Sequence, residues 1–444
     1  MNRNLFAIVL VGVAFALIFS ANRIQSQIEI FVIRKLAEKE PDSGLVDKSG
    51  YYSQIIMYLV CNVSTFFVPP LIKRIGNKWS QVIGSISFVC FMLTFLQLNA
   101  TLLYAASALL GIGGAILWIA NAAYVVEFSS KDELSRNTAI LWGMLQTSFI
   151  SGGVFLLFVT NKGDITDSYK FLYTIFSCVV GLGVMVLAAL PSKPMNKEID
   201  ANSNGNISEQ IEKAGKAQSD SSKSDISSIR EEFLSLFRMM KEPIILILMA
   251  VFIYAGFEAS FYGSIYTLCV QSTLAISKPH PSIVAYISLG IGFGQICGCF
   301  TFGHLVKKIG LDKRKIIIVV ILVQFSSYLM CILFIPTKST LSSTTDLGYF
   351  RASPFVITLI AFLLGFSSSG WQTQIYTALG DYFPQNSANA FAIFQFMKSN
   401  AASAALAFSS LTVLPIQLAA LTISGFIAAG CFIGCDIKYQ RSNL

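Results

Sequence analysis

Charge is what this chain has least of. Asp, Glu, Lys and Arg make up 13% of its 444 residues, about half the share of an ordinary soluble domain. Histidine is nearly missing, with two residues. The nine cysteines are scattered and mostly sit in apolar runs (Cys61, Cys90, Cys178, Cys269, Cys297, Cys299, Cys331), with no metal-ligand spacing to a His. That leaves a zinc or disulfide framework without support. Cys431 and Cys435 lie near the last predicted boundary and could be acylated, although buried small residues are the simpler reading. The chain also lacks a phosphate-binding glycine motif, a nucleophile elbow and a metal-ligand cluster. No enzyme activity, cofactor or metal is expected from it. Gly290-x-Gly292-x-Gly294 has the spacing of a dinucleotide loop, but it lies in an apolar run with no preceding strand and reads as a helix-packing face.

What the chain has instead is apolar length: 54% of residues are hydrophobic. Runs of about 20 apolar residues, enough for a helix to cross the hydrocarbon core, fall near 5–22, 51–71, 79–98, 101–126, 137–160, 170–190, 243–270, 283–306, 316–335, 354–378, 390–411 and 413–434. Backbone inside lipid must satisfy its own hydrogen bonds, so these should be helices. A β-barrel would need alternating segments about half as long. The fold class expected is all-α integral membrane, with twelve transmembrane helices.

The formal net charge is +8, and its placement argues against nucleic acid. With twelve spans both termini share a side. Loops on that side hold 21 of the 32 Lys and Arg, while the opposite loops hold 10, half of them between Arg23 and Lys48. The positive-inside rule then predicts cytoplasmic termini, with anionic lipid as a further contact. The first run has no small-residue cleavage site and continues into Asn22, Arg23 and Gln25, so it reads as an uncleaved span. The sequons at Asn62 and Asn206 fall in a span and in a cytoplasmic loop. Asn99 faces outward but sits too close to the bilayer to be a good acceptor.

A polar divider separates two halves. From Pro191 the chain is polar with almost no large apolar residues, as in a disordered linker. Ser228 and Glu231 then form a capping box. Behind it Ile229, Phe233, Leu236, Phe237 and Met240 fall at helical spacing. About 228–241 therefore reads as an amphipathic helix on the membrane surface, whose plainer role is to brace the second bundle. The domains expected are 1–190, a linker 191–242, and 243–444, with six spans in each half. Pro69-Pro70 should break the second helix near its end.

The halves repeat each other. Gly111–Gly153 and Gly365–Ala405 align at an offset of about 252 residues. Trp118 falls on Trp371, Asn121 on Gln374, Asn137 on Asn389 and Trp142 on Phe394. A second echo joins LIKRIGNK (Leu71–Lys78) to LVKKIGLDK (Leu305–Lys313). Such duplication is typical of secondary transporters, whose site lies between the repeats.

Glu258 is the sharpest candidate residue, deep in the seventh run without a basic neighbour in that run. A carboxylate there costs roughly 2.5–3.5 kcal/mol on insertion scales unless it is protonated, paired or hydrated, which suits proton coupling or cation binding. A structural carboxyl between helices is the alternative. Tyr254, Tyr262 and Tyr266 are spaced to share its helical face. Lys398 is the other deep charge; it could pair with Glu258, neutralise a solute carboxylate, or snorkel to a boundary. Trp118 and Asn121 share a face with Tyr124, and Trp371 with Gln374 repeats the pattern. Two aromatic–amide platforms at mid-depth would suit an organic or cationic solute, while interhelical packing is the commoner use of such residues. Gln146, Gln295 and Gln395 are weaker cases of the same kind. Glu127 and Asp381 close spans four and ten and read as boundary residues. His304, beside Lys307 and Lys308, reads as an interfacial hydrogen-bonding group.

Twelve spans in two halves, with basic loops after spans two and eight, resemble the major facilitator superfamily. Trp118, Asn121, Tyr124, Arg136-Asn137, Trp142, Gln146 and Ser148 look like its Unc-ninety-three-like branch. Within that branch the chain is more similar to the compact major-facilitator-domain-containing proteins than to the forms that escort Toll-like receptors. The resemblance covers nearly all of the chain outside the linker. It implies a twofold bundle with a cavity lined by spans one, four, seven and ten. Trp118, Asn121, Glu258, Trp371 and Gln374 lie on those spans; Lys398 does not. The superfamily's gating loop, Gly-x-Leu-x-Asp-Arg/Lys-x-Gly-Arg/Lys, is represented by Pro69, Leu71, Lys73, Arg74, Gly76 and Asn77, and again by Gly303, Leu305, Lys307, Lys308, Gly310 and Leu311. A lysine replaces the gating aspartate in both. The family also includes proteins proposed as potassium-channel regulatory subunits and trafficking chaperones, and a shared fold does not choose among these roles. Two functions are therefore carried forward: a secondary transporter of a small solute or ion, and a non-transporting subunit that binds a client membrane protein. The intramembrane carboxyl favours the first and the altered loops favour the second.

Overall fold

A computed structural model describes residues 3–39, 41–65, 67–129, 133–160, 169–192, 238–280, 282–302, 312–383 and 387–442. Twelve long helices carry the fold: α1 (Arg3–Lys39), α2 (Ser49–Thr65), α3 (Asn77–Thr94), α4 (Ala100–Glu127), α5 (Leu134–Thr160), α6 (Tyr169–Ala188), α7 (Pro243–Ser272), α8 (Ile283–Phe300), α9 (Lys313–Phe334), α10 (Pro354–Tyr382), α11 (Ser387–Ser409) and α12 (Leu414–Ser442). Among the described residues, nine helices are long and apolar enough to cross a membrane. The other three are α2, α3 and α11. In α11 the window is diluted by Lys398, Ser399 and Asn400. The remaining apolar side chains point outward, as lipid requires: Ile83, Ile86, Leu109, Phe158, Leu322 and Ile423 are all exposed.

Helix starts follow local chemistry. Asn99 caps α4 by accepting from the Leu102 N–H at 2.8 Å, and Ser353 caps α10 by accepting from Val356 N–H at 3.3 Å. Pro243 and Pro354 occupy first-turn positions, where the missing N–H costs nothing. The Pro69-Pro70 break is where the sequence places it. α2 ends at Thr65, and a separate helix, Val68–Ile75, begins with both prolines in its first turn. Gly76 closes that helix at φ +85°, a conformation that favours glycine.

The packing repeats between halves. α1 lies on α5 and α6 as α7 lies on α11 and α12; α2 lies on α4 as α8 lies on α10; α3 bridges α4 and α6 as α9 bridges α10 and α12. Where the halves meet, α5 faces α8 and α2 faces α11, while α1 meets the later turns of α7. Cross-links at the end that carries both termini repeat as well. Asn77 donates to Glu127 at 2.8 Å, tying the start of α3 to the end of α4. Lys313 pairs with Asp381, tying the start of α9 to the end of α10. Glu127 and Asp381 are thus boundary residues.

Close backbone approach holds each half together. The glycines of α8 divide their duties: Gly290, Gly294 and Gly298 face the backbone of α10, while Gly292 faces Phe149 and Ile150 of α5 across the interface. In the first half Gly84 and Gly113 bring α3 against α4. Without a hydrophobic drive inside lipid, such small-residue contacts are what dispersion and weak hydrogen bonds act through.

One expectation is corrected. The first span does not end near 22 with a loop from Arg23 to Lys48; α1 runs unbroken to Lys39. The apolar spacing resumes past Arg23 at Ile24, Ile28, Val32 and Leu36, all buried. The polar residues between them are accommodated because other helices supply partners. The Ser228–Lys241 amphipathic helix lies outside the described residues except for its last positions, where Arg238–Met240 are helical. Gly303, His304, Lys307, Lys308 and Gly310 also lie outside.

Candidate functional site

Helix α7 carries the site because it changes pitch there. Regular α-helix ends at Ser260 and a π-helical turn spans Phe261–Ile265 before α-geometry resumes at Tyr266. One extra residue per turn rotates everything that follows, and such turns are frequent at functional sites. The turn takes Tyr266 off the tyrosine face expected around Glu258, while Tyr254 and Tyr262 stay within electrostatic reach of the carboxyl. Tyr254 pairs with Tyr328 of α9 (hydroxyls 3.4 Å apart) and stacks edge-on against Trp371 (5.1 Å). Tyr266 donates to the Ile357 carbonyl at 2.7 Å. Tyr262, inside the turn, lies beside Ser368 and Gln295, in electrostatic reach of Glu258 and Arg23.

Glu258 itself is 2% exposed, with Ser368 beside its carboxyl, and among the described residues its Oε1 has no hydrogen-bond partner. Lys398 of α11 interacts with it through space; among the described residues no ion pair within 4.0 Å joins the two. Gly256 explains how they come to one level. A Cβ there would overlap the Lys398 carbonyl oxygen and crowd Ala401, so α7 and α11 touch backbone to backbone. Lys398 sits at the middle of α11, half-buried, its Nζ 5.6 Å from the centre of the Phe394 ring. It therefore belongs to the same region as Glu258, although α11 is not one of the four helices the resemblance assigned to the cavity.

The repeated aromatic–amide pairs are not placed symmetrically. Trp118 is half-buried in a cluster with Phe15 (5.5 Å), Phe19 (5.1 Å) and Trp142 (5.9 Å). Trp371 is fully buried, with the Tyr254 side chain against it. The two tryptophans make no ring contact with each other. The halves are bridged by Trp142 and Tyr376, 6.0 Å apart, from which Tyr376 continues to Phe391 (5.0 Å) and Phe394 (5.8 Å). Asn121 and Gln374 are buried, and among the described residues Asn121 Oδ1 has no partner. Tyr124 turns away from this region: it donates to the Pro191 carbonyl at 2.9 Å and stacks on Phe128. In the loop after α2, Arg74 is exposed and Gly76 forms the turn described above; Lys73 lies on the same short helix.

Sequence reasoning missed the charges of α1. Arg23 is half-buried, donates to Gln146 Oε1 at 3.3 Å and lies 4.2 Å over the Phe149 ring. Glu29 is 2% exposed; it accepts from Ser53 Oγ and, at 3.2 Å, from Gln54 Nε2. Gln54 in turn accepts from Ser264 of the π turn at 3.0 Å, and Ser264 meets Ser26 at 3.2 Å. Further along, Arg34 donates to Ser272 Oγ at 3.2 Å and to the Thr340 carbonyl at 2.8 Å. These bonds join α1 and α2 to α7 and the α9–α10 loop, closing the side of the bundle opposite the termini. The usable signal was the spacing of Ile24, Ile28, Val32 and Leu36, which carries the helix past its polar patch.

Twelve helices in two matched sixes, closed on one side around buried charge, define a protein of the major facilitator fold. Solved structures agree in fold. The peptide transporter POT in complex with sulfate matches at TM-score 0.67 and 12% identity, over 99% of this chain and 95% of that one. The inward open conformation of the xylose transporter XylE from E. coli matches at 0.66 and 12%, over 97% and 95%. Residues 41–433 match the family model described as ion channel regulatory protein UNC-93, and the chain belongs to that family. UNC93-like protein MFSD11 of Xenopus tropicalis is 28% identical over 448 residues, covering 100% of this chain and 98% of its own. Protein unc-93 homolog A of Danio rerio is 23% identical over 94% of this chain and 88% of its own.

Proposed function

We propose that the protein is a secondary transporter in which Glu258 is the coupling carboxyl. It takes up a proton or cation as solute enters between two moving units, residues 1–190 and 243–444. One observation carries this reading: Glu258 is buried mid-bundle with an oxygen that has no hydrogen-bond partner among the described residues, within electrostatic reach of a lysine from another helix and shortly before a π turn. A carboxyl so placed costs several kcal/mol unless it changes protonation or gains a partner. Solved chains sharing the fold include a peptide transporter, a nucleoside transporter and a xylose transporter, which supports the class but not a substrate. A thermal-shift screen of purified protein against ions and metabolites should give saturable stabilisation. Flux of that solute into proteoliposomes should fall to the level of empty vesicles in Glu258→Gln, with melting temperature retained. Undiminished flux would remove Glu258 from the mechanism.

A second reading, a regulatory subunit of another membrane protein, is favoured by the family description and by lysine in place of the gating aspartate at Lys73 and Lys307. A blank screen together with a membrane protein co-purifying at fixed stoichiometry would select it.

The termini belong in the cytoplasm on this proposal. Basic residues crowd their side, and the length of α1 withdraws Arg23 and Arg34 from the opposite loops, widening the asymmetry. Epitope tags at either end should be reachable by antibody only after cells are permeabilised; labelling of intact cells would reverse the orientation.

A further inference from the structure

Arg23 and Lys398 come from opposite halves, α1 and α11, yet border one aromatic chain: Arg23 bonds Gln146, one turn from Trp142, and Trp142 meets Tyr376, which meets the Phe394 ring under Lys398. Lys398 also feels the Arg23 charge through space. Both are half-buried, and among the described residues neither has a carboxylate within 4.0 Å. Arg23 is held by an amide oxygen and an aromatic face, Gln146 and Phe149; Lys398 has the Phe394 ring at its tip. Like charges in a low-dielectric interior repel; among the described residues Glu258 is the carboxylate acting on Lys398, while Glu29, further along α1 from Arg23, is engaged by Ser53 and Gln54. With Glu258 as the one counter-charge left to them, the two cations have room for an anion. The walls of this region are aromatic on the same stretch: Trp142 beside Gln146 on α5, then Tyr376, Phe391 and Phe394.

From this juxtaposition we infer that the solute is an organic monoanion, its carboxylate held between Arg23 and Lys398 and its apolar body against the Trp142–Tyr376 aromatic wall. The inference rests on the transporter reading and names its substrate class. It also gives Glu258 a reason to couple. An ionised Glu258 competes with the solute carboxylate for Lys398; a proton on Glu258 removes the competitor and frees the ammonium. The other groups facing Glu258 are Tyr254 and Tyr262 on its own helix, Tyr328 of α9 and Ser368 of α10. None of them is a cation, so Lys398 is the charge whose partner changes. Anion and proton then travel together, and a filled site links both halves through one ligand.

Benzoate, benzamide and benzylamine share one shape and differ in charge, which makes them suitable probes. Calorimetry on nanodisc-reconstituted protein should show saturable binding of benzoate, strengthening as pH is lowered through neutrality, and none of benzamide or benzylamine. Arg23→Gln and Lys398→Gln should each weaken benzoate by at least about tenfold, while Arg23→Lys, which keeps the charge, should retain most of the affinity. Glu258→Gln should bind at least as tightly as the parent, with the pH dependence gone. Preference for the amide or amine, failure to bind benzoate at all, or indifference to both cation substitutions in folded protein would overturn the anion site. Coupled flux of a neutral or cationic solute would sink this inference and leave transport standing. Anion-selective binding without flux of any bound anion would do the reverse.

Discussion

Arg34→Glu should open the side of the bundle opposite the termini. Arg34 is 3% exposed and donates both to Ser272 at the end of α7 and to the Thr340 carbonyl, so one side chain from the first half clasps two segments of the second. Tyr51 adds a bond to the same carbonyl at 3.3 Å. Hydrogen bonds made by a charged group contribute about 1.5–3 kcal/mol each. A glutamate there loses both and sets a carboxylate against a carbonyl oxygen. A net change of about 3 kcal/mol shifts an open–closed equilibrium by on the order of 100-fold. Cys269, buried on the last turn of α7, is a native reporter. Its modification by a membrane-impermeant thiol reagent, mapped by mass spectrometry, should rise steeply in Arg34→Glu and stay near the parent level in Arg34→Lys. Equal labelling of Cys269 in all three proteins would show that Arg34 is no clasp.

Gly294→Leu should cost the protein its fold. A Cβ at Gly294 would run into the Phe362 carbonyl oxygen and lie 2.9 Å from the Phe366 nitrogen, and Gly365 meets the Ile291 backbone from the other side. Main chain cannot rotate out of the way as a side chain can, so α8 and α10 must separate along their length. Overpacking typically costs 1–3 kcal/mol; a leucine in a backbone contact that also spaces Gly290 and Gly298 belongs at or above about 3 kcal/mol. Gly143→Ala is the matched control, because nothing lies within 4 Å of a Cβ there. Size-exclusion profiles in detergent should show a monodisperse peak for Gly143→Ala and aggregate for Gly294→Leu. A monodisperse Gly294→Leu protein with parental melting temperature would mean that the two helices are not held by this approach.

Particular residues show where sequence reading succeeded and where it stopped. The glycine run of α8 is legible as a packing face, but the sequence puts Gly290, Gly292 and Gly294 on it together, and the structure turns Gly292 to α5 while Gly290 and Gly294 meet α10. The Pro69-Pro70 break is legible because the backbone chemistry of proline is local. Glu258 stands out because a lone carboxyl in an apolar run is anomalous whatever surrounds it. Arg23, Glu29 and Arg34 do not stand out, because a cluster of polar residues after an apolar run looks like the end of a span. Partners distant in sequence make that stretch tolerable inside the bundle: Gln146 for Arg23, Ser53 and Gln54 for Glu29, and Ser272 with the Thr340 carbonyl for Arg34. Of the tyrosine face around Glu258, Tyr254 and Tyr262 stay within reach of the carboxyl, while Tyr266, past the π turn, bonds the Ile357 carbonyl instead; nothing in FYGSI announces that turn.

Hydropathy, repeat and loop chemistry thus determined by themselves that the chain lives in a bilayer, spans it with helices, and is built from two related halves. Those properties follow from the cost of exposing backbone and charge to lipid, which each segment meets alone. Which charges lie inside, that Lys398 lies within electrostatic range of Glu258, and which side is shut were decided by tertiary structure. Each depends on a partner supplied by another helix: the Gly256 contact that sets α7 against α11, the π turn that aims Ser264 at Gln54, and the length of α1 that carries Arg34 to Thr340.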